Sequence, residues 1–267
     1  MDKANTFREF RMEPRAEDLF VSSYFAAYKI YRIDRVSLSV LEEIPFDSLR
    51  DELKEYNLYD IVPDQAHDRI FFATGQPPTV ARMDCAGKTT KVLNLSKAGI
   101  AEFGSLVHML RYDAKSHRIF AIATTGIAVP GNKGGLLLEI NPETMDIVRM
   151  LPLPGLPMAL ELDAKNNEIV LGMALWRAMV VIDRAAFKIK QVILMPTPLV
   201  RRFDIDSQSG LLYVVDYVRG QFHIIRENSG QIVKTYNVGN KPLGMVRHGS
   251  TAYVASTLGI IKIELPR

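Results

Sequence analysis

One short apolar strand recurs six times along this chain, and no other feature restricts its fold as tightly. It reads Leu19-Phe20-Val21-Ser22, Ile70-Phe71-Phe72-Ala73, Ile119-Phe120-Ala121-Ile122, Ile169-Val170-Leu171-Gly172, Leu212-Tyr213-Val214-Val215 and Ala252-Tyr253-Val254-Ala255. The starts lie 40 to 51 residues apart, the period of one propeller blade. Runs that are β-branched, aromatic and apolar throughout suit a strand buried on both faces. Six positions before each of the first five runs stands an acid, Glu13, Asp64, Asp113, Asp163 and Asp206, in a polar turn. Such a side chain can accept from the backbone two residues on, which a tight hairpin turn needs. The sixth repeat shortens this turn to His248-Gly249-Ser250.

After each marker comes a third strand, then a turn such as Asn141-Pro142-Glu143-Thr144, then a fourth strand such as Lys190–Leu194. Each repeat is an antiparallel meander that buries both faces only by stacking on neighbours. The expected fold is therefore all-β, a β-propeller of about six four-stranded antiparallel blades in a single domain over residues 1–267. The blades fall near residues 6–46, 57–95, 105–153, 156–197, 200–239 and 242–265. The last blade is expected to be three-stranded or closed from the N-terminus, although spacing gives Thr6–Met12 to the first blade. Phe46–Tyr56, with Leu49 and Leu53 at helical spacing, is expected as a short helix between blades one and two. Ser96–Gly104 is expected to hold a similar helical turn.

A chain of 267 residues buries a sizeable core without disulfides, which fits its single cysteine, Cys85. The net charge of +3 is small and the basic residues are scattered, which argues against nucleic-acid binding. No apolar run is long enough to span a membrane. Met1-Asp2-Lys3-Ala4-Asn5 lacks the apolar core of a signal peptide. That leaves the cytoplasm, or a periplasmic or extracellular site if a targeting segment has been removed ahead of Met1.

The fifth and sixth repeats carry a family likeness. Leu212-Tyr213-Val214-Val215-Asp216, the stretch Gly230 to Gly244 and Ala252-Tyr253-Val254-Ala255-Ser256 resemble the YVTN-type, lactonase-like β-propeller repeat. Repeat four resembles it more loosely through Val180-Val181-Ile182-Asp183, and about half of the chain is covered well. The resemblance implies blade structure and says little of function, because its members include surface-layer proteins, periplasmic binding propellers and lactonase-like enzymes. Typical members close with seven blades, whereas this chain supplies six.

Propellers bind ligands at the mouth of the central channel, where crossover loops meet the turns joining second and third strands. Here that face would collect Tyr24, Tyr28, Gln76, His108, Asn132, Lys133, Trp176, Arg177, Arg201, Tyr217 and Arg219. Eleven residues before each marker stand Arg8, Tyr59, His108, Met158 and Arg201. Arg8, His108 and Arg201 would favour an anionic or carbonyl-bearing ligand, unless they pair with acids between blades. Trp176-Arg177 joins the two residue types most enriched at binding hot spots; the alternative is a tryptophan capping an interblade seam.

Other motifs point to no chemistry. The loop from Thr124 to Gly135 is glycine-rich and holds Lys133, but lacks phosphate-loop spacing and a following helix. His67, His117 and His248 lie near turns on the opposite rim without zinc-ligand spacing. Glu161 and Asp204 on inner strands form no calcium ring. Cys85 has no histidine nearby in sequence, and no nucleophile elbow is present. No metal or cofactor is expected. The sequence thus favours a non-enzymatic scaffold that binds a protein partner or a small anionic ligand through Tyr24, Tyr28, His108, Trp176, Arg177, Arg201, Tyr217 and Arg219. The alternative is a lactonase- or lyase-like enzyme with His108 as general base and Arg8 and Arg201 stabilising an oxyanion.

Overall fold

Every marker strand becomes the second strand of a sheet, and in the second repeat its alternating side chains are divided between two neighbours. In the second repeat Ile70 and Phe72 pack with Phe20 and Ile30 of the preceding repeat. Phe71 and Ala73 pack instead with Val107, Leu110 and Ala121 of the following one. A strand with period-two side chains and apolar partners on both sides leaves no polar face, which is why these runs lack alternation. Burying each phenylalanine is worth roughly 1.5–3 kcal/mol.

The computed structural model describes residues 6–12, 18–24, 29–45, 55–84, 89–100, 106–124, 134–174, 176–197 and 199–266. Blade one is β1–β4 (Thr6–Met12, Asp18–Tyr24, Lys29–Asp34, Val40–Pro45) and blade two β5–β8 (Glu55–Asp64, Arg69–Gln76, Thr79–Asp84, Thr89–Asn94). Blade three is β9–β12 (Leu106–Asp113, Arg118–Thr124, Gly135–Ile140, Ile147–Leu153) and blade four β13–β16 (Leu156–Asp163, Glu168–Ala174, Ala178–Asp183, Lys188–Leu194). Blade five is β17–β20 (Val200–Asp206, Leu211–Asp216, Gln221–Arg226, Ile232–Asn237), and blade six β21–β23 (Gly244–His248, Thr251–Ser256, Gly259–Glu264). Strand order follows chain order in all six sheets, which are mainly antiparallel. The fold is a six-bladed β-propeller. Two compact units hold three blades each: Met1–Gly126 with Leu136–Met150, and Ile127–Gly135 with Leu151–Arg267.

The turn acids act as their position suggested. Asp113 accepts from the Lys115 amide at 3.1 Å, Asp163 from Lys165 at 3.0 Å and Asp206 from Gln208 at 3.1 Å. Asp64 differs, because a 3₁₀ turn, Gln65–His67, follows it and its carboxylate takes Arg69 Nε at 2.8 Å. Glu13 lies outside the described residues.

Blade six has three strands among the described residues, and β1 pairs with β2, so the N-terminal strand belongs to blade one. The expected helix at Phe46–Tyr56 falls largely outside the described residues; its last two, Glu55 and Tyr56, open β5. Ser96–Gly99 forms a hydrogen-bonded turn rather than a helix, and residues 101–104 of the expected segment lie outside the described residues. The Ala98 amide bonds Asn94 at 3.0 Å and that of Ile100 bonds Leu95 at 3.0 Å, while Gly99 at φ 76° stops propagation.

Candidate functional site

The eleven-residue offset that selected Arg8, Tyr59, His108, Met158 and Arg201 marks one recurrent backbone device. In each of the first five blades the register between first and second strands shifts at this residue. A bulge leaves one residue without a cross-strand partner and re-aims its side chain. Blade six, paired regularly from Gly244 to His248, has no such shift. Three of the re-aimed side chains show where they turn. The Tyr59 ring lies so close over Gly75, at the end of β6, that a Cβ there would stand 2.5 Å from it. His108 takes the equivalent place in blade three, with Nδ1 3.4 Å from Thr124 Oγ1 at the end of β10. Arg201 reaches the next bulge instead, its Nη1 3.9 Å from Met158 Sδ. His108 and Arg201 are 1% and 7% exposed. They belong to different units, and the Arg8 side chain lies outside the described residues.

Among the described residues, the exposed members of the expected set, Trp176, Arg177 and Arg219, belong to the unit formed by blades four to six. At the turns joining second and third strands stand Trp176, 42% exposed, Val218, 64%, and Leu258, 74%. The crossover loops lie directly against these turns. The Trp176 ring covers Gly155, where a Cβ would meet it at 2.7 Å, and Leu258 covers Gly239, where a Cβ would meet it at 2.6 Å. Arg177 donates from Nη2 to the Pro196 carbonyl at 2.9 Å. It holds φ at 51°, at the turn position that blade five gives to Gly220. A non-glycine residue there costs roughly 1 kcal/mol or more.

The two rims of this unit differ in charge. On the rim of these turns and crossovers, Arg177, Arg219 and Lys241 are exposed, and the carboxylate of Asp216 is buried. The opposite rim carries both signs in and beside its turns, Asp163, Asp183, Asp206 and Glu227 with Lys165, Arg184 and Arg226. Asp216 is fully committed: it accepts from the Val218 and Arg219 amides at 3.0 Å each and from Arg219 Nη1 at 3.2 Å. Behind it His223 is buried, with Nδ1 2.9 Å from Thr235 Oγ1 and Nε2 3.9 Å from Asp216. Burial pushes the His223 imidazole below its ordinary value, Asp216 partly opposes this, and Arg219 adds to it. The network therefore fixes Arg219 around a neutral histidine.

Trp176, Arg177, Tyr217 and Arg219 are among the residues expected at this face, whereas Val218 and Leu258 are not. Their signal was the repeat phase: they follow the marker starts by six residues, as Trp176 does by seven. Tyr24 ends β2. Tyr28, Cys85, Asn132 and Lys133 lie outside the described residues, as do the side chains of Tyr24 and Gln76. Spacing also concealed a cluster between blades two and three. His67 and His117, far apart in sequence, have ring centroids 5.7 Å apart. Glu143 accepts there from Arg69 at 2.7 Å, His117 Nε2 at 2.9 Å and Arg82 at 3.2 Å, and the Tyr112 hydroxyl meets His117 Nδ1 at 2.9 Å. With these partners taken, the cluster is an interblade clasp. Among the described residues no three His, Cys, Asp or Glu side chains gather to hold a metal ion, and Asp204 is taken by Arg247 Nε at 2.5 Å. No helix is long and apolar enough to cross a membrane.

Solved structures confirm the fold. The chain resembles Sqt1 of Saccharomyces cerevisiae at a TM-score of 0.62 and 12% identity, over 98% of this chain and 73% of the other. It resembles hydrazine synthase of Kuenenia stuttgartiensis at 0.70 and 12%, over 99% and 96%. Both are similar in fold, and at this identity the likeness carries no activity across. No protein-family model matches the chain, and no curated protein matches it.

Proposed function

We propose that this chain is a binding scaffold whose blades four to six take an extended, acidic and apolar segment of a partner protein across the turns joining second and third strands. The observation that carries the reading is the row of exposed apolar tips, Trp176, Val218 and Leu258, on three successive blades. Arginines held by their own bonds stand beside the first two tips. Fixed aromatic and guanidinium groups lose little entropy on binding and are typical anchors. The absence of an exposed carboxylate on this rim, among the described residues, selects a partner with negative charge. Tyr217 belongs to the same surface, and His108 and Arg201 are buried beside the bulges. Within this reading the whole chain is one propeller domain with YVTN-type repeats, on the residues quoted for blades five and six.

The test uses fluorescein-labelled eight-residue peptides rich in Glu, Leu and Phe, with scrambled Lys-substituted peptides as controls, read by fluorescence polarisation. Binding should be saturable and weaken with salt as exposed charge pairs are screened. Trp176→Ala with Leu258→Ala should lower affinity by about 30-fold, the loss of a hot spot worth about 2 kcal/mol. Equal binding of acidic and basic peptides would refute the charge argument. Failure of the peptides to bind, alongside Trp176-dependent capture by anionic phosphatidylserine vesicles, would replace a protein partner by a membrane surface.

A further inference from the structure

On the opposite rim of the same unit, the outer strand β16 and the turns of blade five enclose an open groove of about 370 Å³. Gln191 and Ile193 of β16 form one wall; Ser209, Arg226, Glu227 and Asn228 form the other. The size is that of a small-molecule site. Arg226 and Glu227 are adjacent and of opposite charge, yet they do not pair with each other. Among the described residues neither makes a side-chain hydrogen bond or ion pair. Glu227 is half-buried, and burial together with the nearby charges of Asp163 and Glu168 pushes its carboxyl above the ordinary range. A carboxylate in that position lacks a cation, but a simple cation would be opposed by Arg226. One ligand type answers both groups: a molecule carrying an ammonium and a carboxylate close together. We propose that this groove binds a small zwitterion of the α-amino-acid class. Its ammonium sits on Glu227, its carboxylate on Arg226, and its side chain lies against Ile193 between the amides of Gln191 and Asn228. The site is independent of the partner-binding rim and stands or falls separately.

The test is calorimetric titration of the whole chain with L-serine, with n-propylammonium and propionate as single-charge controls. L-serine should saturate with a Kd of about 1 mM or tighter, and each control should bind at least about tenfold more weakly. Glu227→Gln, at a partly exposed turn position, and Arg226→Gln, at the exposed end of β19, should each cost about tenfold or more with unchanged melting temperature. Amide chemical-shift mapping on the unaltered protein reads the same site without any substitution, and Gly210 and Asn228 should move. No saturation by L-serine, equal binding of n-propylammonium, or shifts confined elsewhere would overturn the assignment.

Discussion

Gly220→Ala offers a test of how tightly the turns and crossovers of blades five and six are joined. Gly220 holds φ at 67°, and a Cβ there would lie 2.5 Å from the Gly239 carbonyl oxygen and 3.1 Å from its carbon. Gly210, in the same blade, holds φ at 66° with nothing within 4 Å of a Cβ. Alanine at either position bears the left-handed penalty of roughly 1–2 kcal/mol, and any gain from a stiffer unfolded chain is common to both. Only Gly220→Ala must also push a backbone carbonyl away. Overpacking of that kind costs about 1–3 kcal/mol. The expected losses are therefore about 1–2 kcal/mol for Gly210→Ala and about 2–5 kcal/mol for Gly220→Ala. Both residues lie in blade five, so one cooperative unit reports both. Urea denaturation with m held constant gives the difference from the midpoints. A Gly220→Ala midpoint equal to that of Gly210→Ala would refute the close approach of turn and crossover.

Arg177→Gly should leave stability unchanged or raise it slightly, because glycine relieves the left-handed backbone, while peptide binding weakens by about tenfold; thermal melts and polarisation separate the two. His223 titrates below its ordinary 6.5 in the folded chain, so its stabilising effect is complete above that pH and is lost as pH falls below it. Melting temperature should therefore drop from about pH 7 to pH 5, and His223→Gln should flatten that drop. The three donors, Arg69 foremost, hold the Glu143 carboxyl below its ordinary 4.5, so its contribution is present above 4.5 and lost in acid. Glu143→Gln should cost about 1 kcal/mol near neutrality, since half of the side chain is screened by water. It should also remove part of the acid limb of a stability–pH curve.

What could be read in advance was what repeats. The marker strands carry their burial in composition, so runs such as Ile70–Ala73 declared both faces apolar before any contact was known. Asp113, Asp163 and Asp206 declared their turns, because an Asx bond is local in sequence. The bulges were half visible. The eleven-residue offset selected Arg8, Tyr59, His108, Met158 and Arg201, but no glycine marks the shift and the side chains differ, so nothing named the backbone cause. Contacts across blades were legible only as alternatives, such as Trp176 capping an interblade seam. The Glu143 clasp and the covering of Gly155 by Trp176 join residues whose separation depends on loop lengths between blades. Periodicity says nothing about those lengths. The groove at Glu227 belongs to the same class, since Gln191 and Asn228 meet only after two blades have stacked.

The bulges separate two things that proteins usually vary together. At one backbone location, blade after blade, the chain offers arginine, tyrosine, histidine, methionine and again arginine. The main chain supplies the aim, and the side chain is left to supply the chemistry. Each such group is matched by its own neighbour, Tyr59 by Gly75, His108 by Thr124 and Arg201 by Met158. The backbone device is held constant while the pairing changes from blade to blade.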